Sequence, residues 1–463
     1  MADLLLAVDQ LPERYTLSGA DELVRFSAGK NIHISVEPDR SPRDRDSSRV
    51  QSHGLSDYKW DVSHVRSHSD RLLSVNGALI AYRLSHETSV EAVRVMQRET
   101  RNRQLIKGFK DAIVDLSFSR QNSMLAVLDA ACNLYIYHVT DACGIEKHLN
   151  LLWEDEEGKE LLKGVMVELQ SEEDKENPAS SRSSDRGSSS RGLAAPSPRP
   201  KLVWCPYQPD PDEPDDSLNM VAIIKGCDVH IVNITDIKGA RRENELHLAA
   251  VREIPGAVHT ITLKEPVTSV TLSPDATAIA ISDATGTVYF YVINGEVKFE
   301  YQWTPTLLGH LKEIFFLDSV DATEQFWRFV VAVDESGKNL ALYECQNWAC
   351  IGRLHIDASA TSSSGGKYMV QMDPQARYLY LIDIEGSNIF CLEIGYHNDT
   401  QKTPCFAGIT QIGFYHPLVA VSPYEVKDAD NQNEYSSDVF SSLLLGTSSA
   451  ATTTGASGRG HAD

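Results

Sequence analysis

Two stretches of this chain share one pattern without a gap, and this internal repeat constrains the fold more than any other feature. The first runs from Ile113 to Tyr137 (IVDLSFSRQNSMLAVLDAACNLYIY) and the second from Val267 to Tyr291 (VTSVTLSPDATAIAISDATGTVYFY), so every position differs by 154. In both, apolar and polar residues alternate at period two, interrupted by a polar turn and by a turn led by Asp. Each copy is therefore predicted to form three antiparallel strands.

The identities between the two copies fall at structural points, and looser copies occur elsewhere. The identities pair Ser119 with Ser273, Ala126 with Ala280, Asp129 with Asp283, Tyr135 with Tyr289 and Tyr137 with Tyr291. The looser copies run from Leu23 to Val36, Leu72 to Gln97, Leu202 to Ile234, Phe329 to Cys345 and Tyr378 to Ile394. Together they indicate about seven units.

Short antiparallel strands that recur every ~40 to 50 residues are the signature of a β-propeller, in which four-stranded blades close into a ring. One blade cannot bury its own faces, so the copies must stack. We therefore predict an all-β fold, a seven-bladed WD-repeat-like β-propeller over residues 15–421. The third strand of a WD repeat typically ends in Trp-Asp. Here it ends in Tyr137-His138, Tyr291-Val292 or Tyr343-Glu344, which indicates a divergent member.

An aspartate opens the turn between the second and third strands in four of the copies. These residues are Asp129, Asp283, Asp334 and Asp383. A carboxylate at this place can accept hydrogen bonds from the backbone and side-chain donors of its own turn. We therefore predict that the four aspartates hold the blade turns and do not form a ring of catalytic acids.

Three segments lie outside the repeats. Residues 171–200 are rich in Ser, Pro, Gly and charge. Such a composition cannot offset the entropy of ordering by burial, so we predict a disordered insertion inside a blade. Residues 422–463 carry few core residues and are predicted to form a disordered tail, and residues 1–14 form a short N-terminal segment.

The charge balance argues against broad binding of nucleic acid. The chain has 43 Lys plus Arg against 65 Asp plus Glu, a formal charge of -22, whereas affinity for nucleic acid is mostly phosphate electrostatics. One basic stretch is an exception, with six basic residues and one acid: Arg94, Arg98, Arg101, Arg103, Lys107 and Lys110. Its ordinary interpretation is a solvated loop and strand edge, and the alternative is a docking patch for an acidic partner.

The chain carries no motif typical of catalysis or of a cofactor site. A nucleophile elbow, a phosphate-binding glycine loop and a zinc-protease helix are all missing, so we predict a protein that is not an enzyme and holds no cofactor. The eight cysteines are spread without a CxxC pair, which indicates reduced core thiols and no metal site. His64 and His68 have a spacing that suits a shared metal on a helix, but a polar loop is the simpler interpretation.

Hydropathy predicts a protein of the cytoplasm. No run approaches the ~18 apolar residues that span a bilayer, and the N-terminus has neither a basic region nor a secretory cleavage site. No membrane partner is therefore expected.

The densest aromatic cluster is Phe326-Trp327-Arg328-Phe329. Buried aromatic residues with Arg often form interaction hot spots. In a strand, however, Trp327 and Phe329 would share one face, and at least one face must be core. The core interpretation is favoured.

The ordered succession of several motifs resembles one known family. The motifs are LIKGF, VDLSF, LAVLDAACNLYIY, LVWCPY, LSPDATAIAISDATGTVYFY, and FWRF with FVVAVDESGKNLALYECQNWACIGRL after it. They resemble the WD-repeat domain of the large enhancer of mRNA decapping, called varicose in plants, over roughly Tyr15 to Val421.

The resemblance implies a non-catalytic scaffold that joins the decapping enzyme complex to its activators in processing bodies and promotes mRNA decay. It offers no catalytic residue. In that family a C-terminal helical domain drives self-association, and we find no such region after the propeller, so self-association of this chain is not expected. The alternative that remains open is a propeller adaptor in another pathway, such as a vesicle coat or a ubiquitin-ligase substrate receptor.

Overall fold

The fold is described from a computed structural model of the chain. It describes residues 11–18, 21–27, 29–37, 46–48, 50, 54, 71–84, 91–120, 123–153, 200–207, 218–305, 307–317, 327–357, 368–373, 375–384, 386–398, 402–416, 418, 420–425 and 440–442. Residues 171–199 of the predicted insertion at 171–200 therefore lie outside the described residues, as do His64, His68 and Phe326. Most of the predicted N-terminal segment (1–10) and of the predicted tail (426–439 and 443–463) lies outside them as well.

Almost every element is a β-strand, and the strands are grouped into sheets along the chain. Three strands come first: β1 (Glu13–Leu17), β2 (Leu23–Arg25) and β3 (Asn31–Val36). Sheet 1 is β4 (Leu73–Asn76), β5 (Leu79–Leu84), β6 (Ala92–Gln97) and β7 (Arg103–Lys107). Sheet 2 is β8 (Ile113–Phe118), β9 (Met124–Asp129), β10 (Leu134–Val139) and β11 (Ile145–Leu152).

Sheet 3 is interrupted by two short helices before its last strand. Its region contains β12 (Lys201–Trp204), β13 (Met220–Lys225), β14 (Asp228–Asn233), α1 (Ile234–Ala240), β15 (Glu245–His247), α2 (Leu248–Arg252) and β16 (Val258–Thr262). Strand β15 is not part of sheet 3, because it pairs in parallel with β11 of sheet 2. The helix α1 begins where the Asn233 side chain accepts a hydrogen bond from the backbone N–H of Asp236, a typical N-cap.

Sheets 4 to 6 repeat the antiparallel plan. Sheet 4 is β17 (Val267–Leu272), β18 (Ala278–Asp283), β19 (Val288–Asn294) and β20 (Glu296–Trp303). Sheet 5 is β21 (Leu311–Leu317), β22 (Phe329–Asp334), β23 (Asn339–Glu344) and β24 (Ala349–Asp357). Sheet 6 is β25 (Met369–Met372), β26 (Tyr378–Asp383), β27 (Asn388–Tyr396) and β28 (Pro404–Gly413), and the short strands β29 (Pro423–Glu425) and β30 (Phe440–Ser442) follow.

The core lies between neighbouring sheets, as a propeller requires. Val93 and Val95 of sheet 1 pack with Leu116 of sheet 2, and the same kind of mixed cluster joins each later pair, up to sheets 5 and 6. Sheets 6 and 1 are joined differently. Ala420 packs on sheet 1, whereas Leu418 and Val421 pack on sheet 6.

The all-β propeller prediction is confirmed, but the described residues form six sheets of four or more strands and not seven. The stretch from Leu23 to Val36, predicted as a unit of its own, is not one. Strand β2 pairs with β28 of sheet 6, and β3 pairs with β24 of sheet 5. Alternating burial in β3 shows that it is a strand, but period-two patterning does not reveal which sheet a strand joins.

Candidate functional site

The first blade turn, in sheet 2, is built around a completely buried carboxylate. Asp129 is 0% exposed. Its Oδ1 accepts hydrogen bonds from the backbone N–H groups of Ala131 and Asn133, at 3.0 and 2.9 Å. Its Oδ2 accepts from the Asn133 side-chain amide at 2.9 Å and from the Tyr135 hydroxyl at 3.0 Å. All the acceptor sites of this carboxylate face donors of its own turn and of β10.

The matching turn of sheet 4 uses the same plan with different partners. Asp283 Oδ1 accepts from the backbone N–H and the hydroxyl of Thr285, at 2.9 and 2.6 Å, and from the N–H of Thr287 at 3.1 Å. Its Oδ2 accepts from the Tyr289 hydroxyl at 3.1 Å. Thr285 is exposed, so some of these donors lie close to water.

The other two turn aspartates are bonded in the same way. Asp334 Oδ1 accepts from the N–H groups of Lys338 and Asn339, at 3.0 and 3.1 Å, and Oδ2 from the Asn339 amide at 2.7 Å. Asp383 Oδ1 accepts from the N–H of Gly386 at 2.9 Å. This geometry suits the predicted structural role, which a stability measurement must test.

A second polar group, missed at the level of sequence, joins three sheets on the inner side of the ring. The first strands of sheets 1 to 5 contact one another in turn. Arg71, just before β4, donates from Nε and Nη2 to the Asp115 carboxylate at 2.8 and 3.1 Å. The same Nη2 donates to the Leu202 carbonyl at 2.6 Å, and the Leu202 N–H donates to Asp115 at 2.8 Å.

The contacts continue around the ring. Lys201 Nζ lies 3.3 Å from Glu313 Oε1 and 3.3 Å from the Thr268 carbonyl. The Ser269 hydroxyl donates to Glu313 Oε2 at 2.8 Å. Asp115, Ser269 and Glu313 each follow a β-bulge in the first strand of their sheet. The available sequence signal was that Asp115 and Ser269 occupy the same position of the repeat, 154 residues apart.

Five of the eight cysteines are buried, and Cys227, Cys350 and Cys405 are partly exposed. Burial raises the pKa of Cys132 to about 11 and of Cys205 to about 12, and a thiolate is the form of cysteine that reacts or binds metal. The described residues include no group of three or more His, Cys, Asp or Glu that could hold a metal ion. Over the same residues, no helix has the length and hydropathy to cross a membrane.

The six basic residues singled out in the sequence lie together at the outer edge of sheet 1, and we call them the basic edge. Arg94 lies on β6, and Arg103 and Lys107 lie on β7. Residues directly opposite each other in an antiparallel pair share one face of the sheet, and so do alternate residues of one strand. Because Arg94 lies opposite Leu105, the three basic side chains are on the same face. Arg98 and Arg101 lie in the β6–β7 turn, and Lys110 follows β7. Arg94 and Arg98 are half-buried, and the other four are exposed.

The charges of the basic edge are not neutralised within the described part of the chain. None of the six forms an ion pair with a described carboxylate. Leu105 lies among them on the same face and is 39% exposed. The edge thus combines positive charge with an accessible apolar side chain, whereas the whole chain has a formal charge of -22.

The aromatic cluster at the start of β22 divides between two sheet interfaces. Phe329 is buried between sheets 5 and 6, whereas Trp327 packs partly buried between sheets 4 and 5. The strand begins at Phe329, so Trp327 precedes it and does not share the same face. Trp327 also lines a groove between sheets 4 and 5.

Stacked antiparallel sheets, turns built on buried aspartates and solvent-accessible outer edges define a WD-repeat propeller, a fold class that presents binding surfaces. Comparison with known proteins identifies the family. The family described as the WD40 region of Ge1, enhancer of mRNA-decapping protein, matches residues 46–166 and 191–399, which is more than half of the chain. The chain belongs to this family.

Curated relatives are similar at low identity over most of the chain. Enhancer of mRNA-decapping protein 4 of Danio rerio is 22% identical over 429 residues, covering 89% of this chain and 28% of that protein. The Drosophila melanogaster homolog is 24% identical over 372 residues (76% and 24%), and the Homo sapiens protein 22% over 422 (87% and 27%). The chain therefore spans about a quarter of the length of these relatives.

Comparison with solved structures gives matches at low sequence identity. The WD40 domain of Toxoplasma gondii coronin has a TM-score of 0.48 and 12% sequence identity, and the match covers 83% of this chain and 78% of that one.

Proposed function

We propose that this chain is a non-catalytic protein-interaction platform that promotes mRNA decapping and decay. The observation that carries the proposal is the family match over most of the described propeller. The decapping enzyme complex and its activators are the proposed partners, and cytoplasmic processing bodies are the proposed location. The relatives are named as enhancers of decapping, and the propeller offers surfaces on which partner proteins can bind.

The bonding of the polar side chains supports a platform over an enzyme. The buried aspartate of the sheet 2 turn and the carboxylates near the ring axis are held by donors of the protein itself. A catalytic acid or base needs a free position within reach of substrate. These polar groups instead join the turns and the sheets of the propeller.

The contacts between sheet 1 and the chain after sheet 6 support the predicted seventh blade. Strand β29 pairs with β30, and the Ser422 hydroxyl next to β29 accepts a hydrogen bond from the N–H of Val75 on β4, at 3.1 Å. We propose that β29 and β30 belong to a seventh unit between sheets 6 and 1. The limits of the propeller (15–421) and of its insertion (171–200) remain predictions. A seventh unit that contains β29 and β30 would extend the propeller into the predicted tail (422–463).

The basic edge is the proposed docking site for an acidic partner of this platform. Unneutralised basic side chains beside an exposed apolar one give both a long-range attraction and a surface to bury. Charged residues at the rim of a protein–protein interface chiefly change the association rate and its dependence on salt. Binding through this edge should therefore weaken as salt is raised.

The decisive experiment is affinity purification of the tagged chain from cytosol. We expect decapping activators and the decapping enzyme among the recovered proteins. Replacing Arg98, Arg101 and Arg103 by Glu should reduce recovery of the acidic partner at least ~5-fold, because opposite charges become like charges. The matched control replaces Arg241, Arg242 and Arg252 by Glu, three exposed arginines elsewhere on the surface.

Two results would contradict these proposals. Recovery of vesicle-coat or ubiquitin-ligase subunits in place of decapping proteins would favour the adaptor alternative. Equal loss of partners in the Arg98 and Arg241 variants would show a general effect of charge and would remove the basic edge from the proposal.

A further inference from the structure

An aromatic groove of about 370 Å³ lies between sheets 4 and 5, near their outer edges. Its centre is Trp348, in the turn between β23 and β24. The Trp348 ring stacks on Trp303 with centroids 4.8 Å apart and on Tyr301 with centroids 5.9 Å apart and planes only 3° from parallel. Phe290 packs beneath it at 4.4 Å. Phe290, Tyr301 and Trp348 thus pack together as one aromatic wall of the groove, with Trp303 behind it.

The backbone at this turn is held in an unfavourable conformation. Trp348 has a φ of 57°, in the left-handed region that a bulky residue rarely adopts. Its N–H donates to the Glu344 carbonyl at 2.8 Å. The β6–β7 turn of sheet 1 has the same geometry, with Arg101 at φ 59° and its N–H bonded to Gln97. The same turn position therefore carries a cation in one sheet and a large aromatic ring in another.

A β-bulge directs the outer side chains of β20 to opposite faces. The register shifts between Phe290 and Tyr291, so that Tyr301 faces Phe290 and Phe299 faces Tyr291. Without the extra residue, Tyr301 and Phe299 would lie on one face. Tyr301, 46% exposed, therefore enters the groove, and Phe299, 53% exposed, lies on the far side of the same strand.

The charge around the groove is negative. Among the described residues, its lining includes Glu300, the extra residue of the bulge, and no Lys, Arg or His. Lys298, two residues earlier, is paired with Glu296 at 3.8 Å. Glu344, at the start of the Trp348 turn, accepts from the Asn347 side chain at 2.9 Å. A ligand of this groove should therefore carry positive charge.

The groove is also open along the outer strand. Added strands cover the outer edges of sheets 2, 5 and 6, whereas β20 of sheet 4 has no described strand beyond it. Aromatic-lined grooves bind proline-rich segments, because the proline rings fit between flat side chains and the extended helix loses little entropy on binding. Tyr301 and Trp348 supply such faces, and Glu300 supplies a partner for Arg or Lys.

We propose that this groove binds an extended, proline-containing basic segment of a partner protein. The proposal rests on the platform role given above and adds to it a site and the chemistry of its ligand. Prolines lie against Tyr301 and Trp348, and an adjacent Arg lies beside Glu300. The site is separate from the basic edge, whose opposite charge selects a different partner.

The test is a titration of the purified full chain with a fluorescein-labelled peptide, APPRPPRPA, followed by anisotropy. We expect saturable binding, at least ~10-fold weaker in Tyr301→Ala because an exposed aromatic anchor is lost. Glu300→Lys should weaken binding at least ~5-fold, since it reverses the charge that faces the peptide. The matched control is Phe299→Ala, which removes an equally exposed ring from the other face of β20 and should leave affinity within ~2-fold.

Three results would overturn the proposal: no saturation up to about 1 mM peptide, equal loss in Tyr301→Ala and Phe299→Ala, or equal binding of a peptide with every proline replaced by Ala. The last would indicate strand addition along β20. Urea unfolding of each variant establishes that a loss of affinity is not a loss of fold. Because the titration uses only purified protein and peptide, its failure leaves the recovery of decapping proteins as an independent test of the platform.

Discussion

Sheets 2 and 4 contain the two matched copies of the repeat, and they agree in their first three strands. Both have a bulge in the first strand, at Val114 and Thr268. Both have a buried aspartate that accepts a hydrogen bond from a tyrosine of the third strand. A sequence that repeats at a fixed offset has thus produced the same inner part of a blade twice.

The fourth strands of these two sheets differ. Strand β11 of sheet 2 is covered by β15, and its residues Leu149 and Leu151 are fully buried. Strand β20 of sheet 4 pairs with no further described strand, and its residues Phe299 and Tyr301 are 53% and 46% exposed. The repeat therefore encodes the stable inner strands, and the outer strand is free to differ between blades and to form a binding surface.

The largest effect expected from this comparison concerns the turn aspartates. Asp129→Ala should lower the free energy of unfolding by about 4 kcal/mol and Asp283→Ala by about 2 kcal/mol, because each orphaned buried donor costs about 1–3 kcal/mol. The donors around Asp129 include the buried Asn133 and Tyr135, whereas Thr285 beside Asp283 is exposed and can turn to water. Urea unfolding measures both values. Equal losses would show that burial of the donors does not distinguish the two turns.

The buried His230, next to sheet 2, should make the free energy of unfolding depend on pH. Trp153, directly after β11, packs on His230 of β14 with ring centroids 4.8 Å apart. Burial lowers the pKa of His230 to about 4, against a usual value near 6.5. Between pH 6.5 and 4 the unfolded chain takes up a proton at this residue and the folded chain does not, so stability should fall as pH falls through this range.

The effect of His230 is at most about 3.5 kcal/mol, because each pKa unit corresponds to about 1.4 kcal/mol. His230→Gln, which cannot titrate, should flatten the decline in stability between pH 6.5 and 4. Urea unfolding at several pH values compares the two slopes. Parallel declines in the two proteins would show that other groups cause the acid sensitivity.

The smallest effect is expected from the paired tyrosines. Tyr135→Phe should cost about 1.5 kcal/mol and Tyr289→Phe about 0.5 kcal/mol, in the usual range for one hydrogen bond. The Tyr135 hydroxyl bonds both Asp129 and the Lys110 N–H, and Tyr135 is buried, whereas Tyr289 is only half-buried. Thermal and urea unfolding of the two variants provide the check. A larger cost at Tyr289 would reverse the order argued from burial.

The sequence predicted the features that depend on neighbouring residues. Alternation and an Asp-led turn are local, so the strands around Asp129 and Asp283 were predicted at the right places. The partners of β2 and β3 were not, because pairing with β28 and β24 depends on residues far along the chain.

The candidate surfaces were predictable to a different degree. The basic edge is visible as a run of charges, and the strand pair β6–β7 brings three of its residues onto one face. The aromatic groove was not predicted, because Tyr301 and Trp348 come from different sheets. The contact between Arg71 and Asp115 was missed for the same reason.

The placement of the first three strands has a consequence for the time course of synthesis. Strands β2 and β3 are made early, but β24 ends at Asp357 and β28 at Gly413. Because synthesis adds ~5–20 residues per second, β2 and β3 wait roughly 20–80 s until their partner strands are made. An unpaired strand edge is a template for aggregation. The growing propeller must therefore carry open strand edges until β24 and β28 have been made and can pair with β3 and β2.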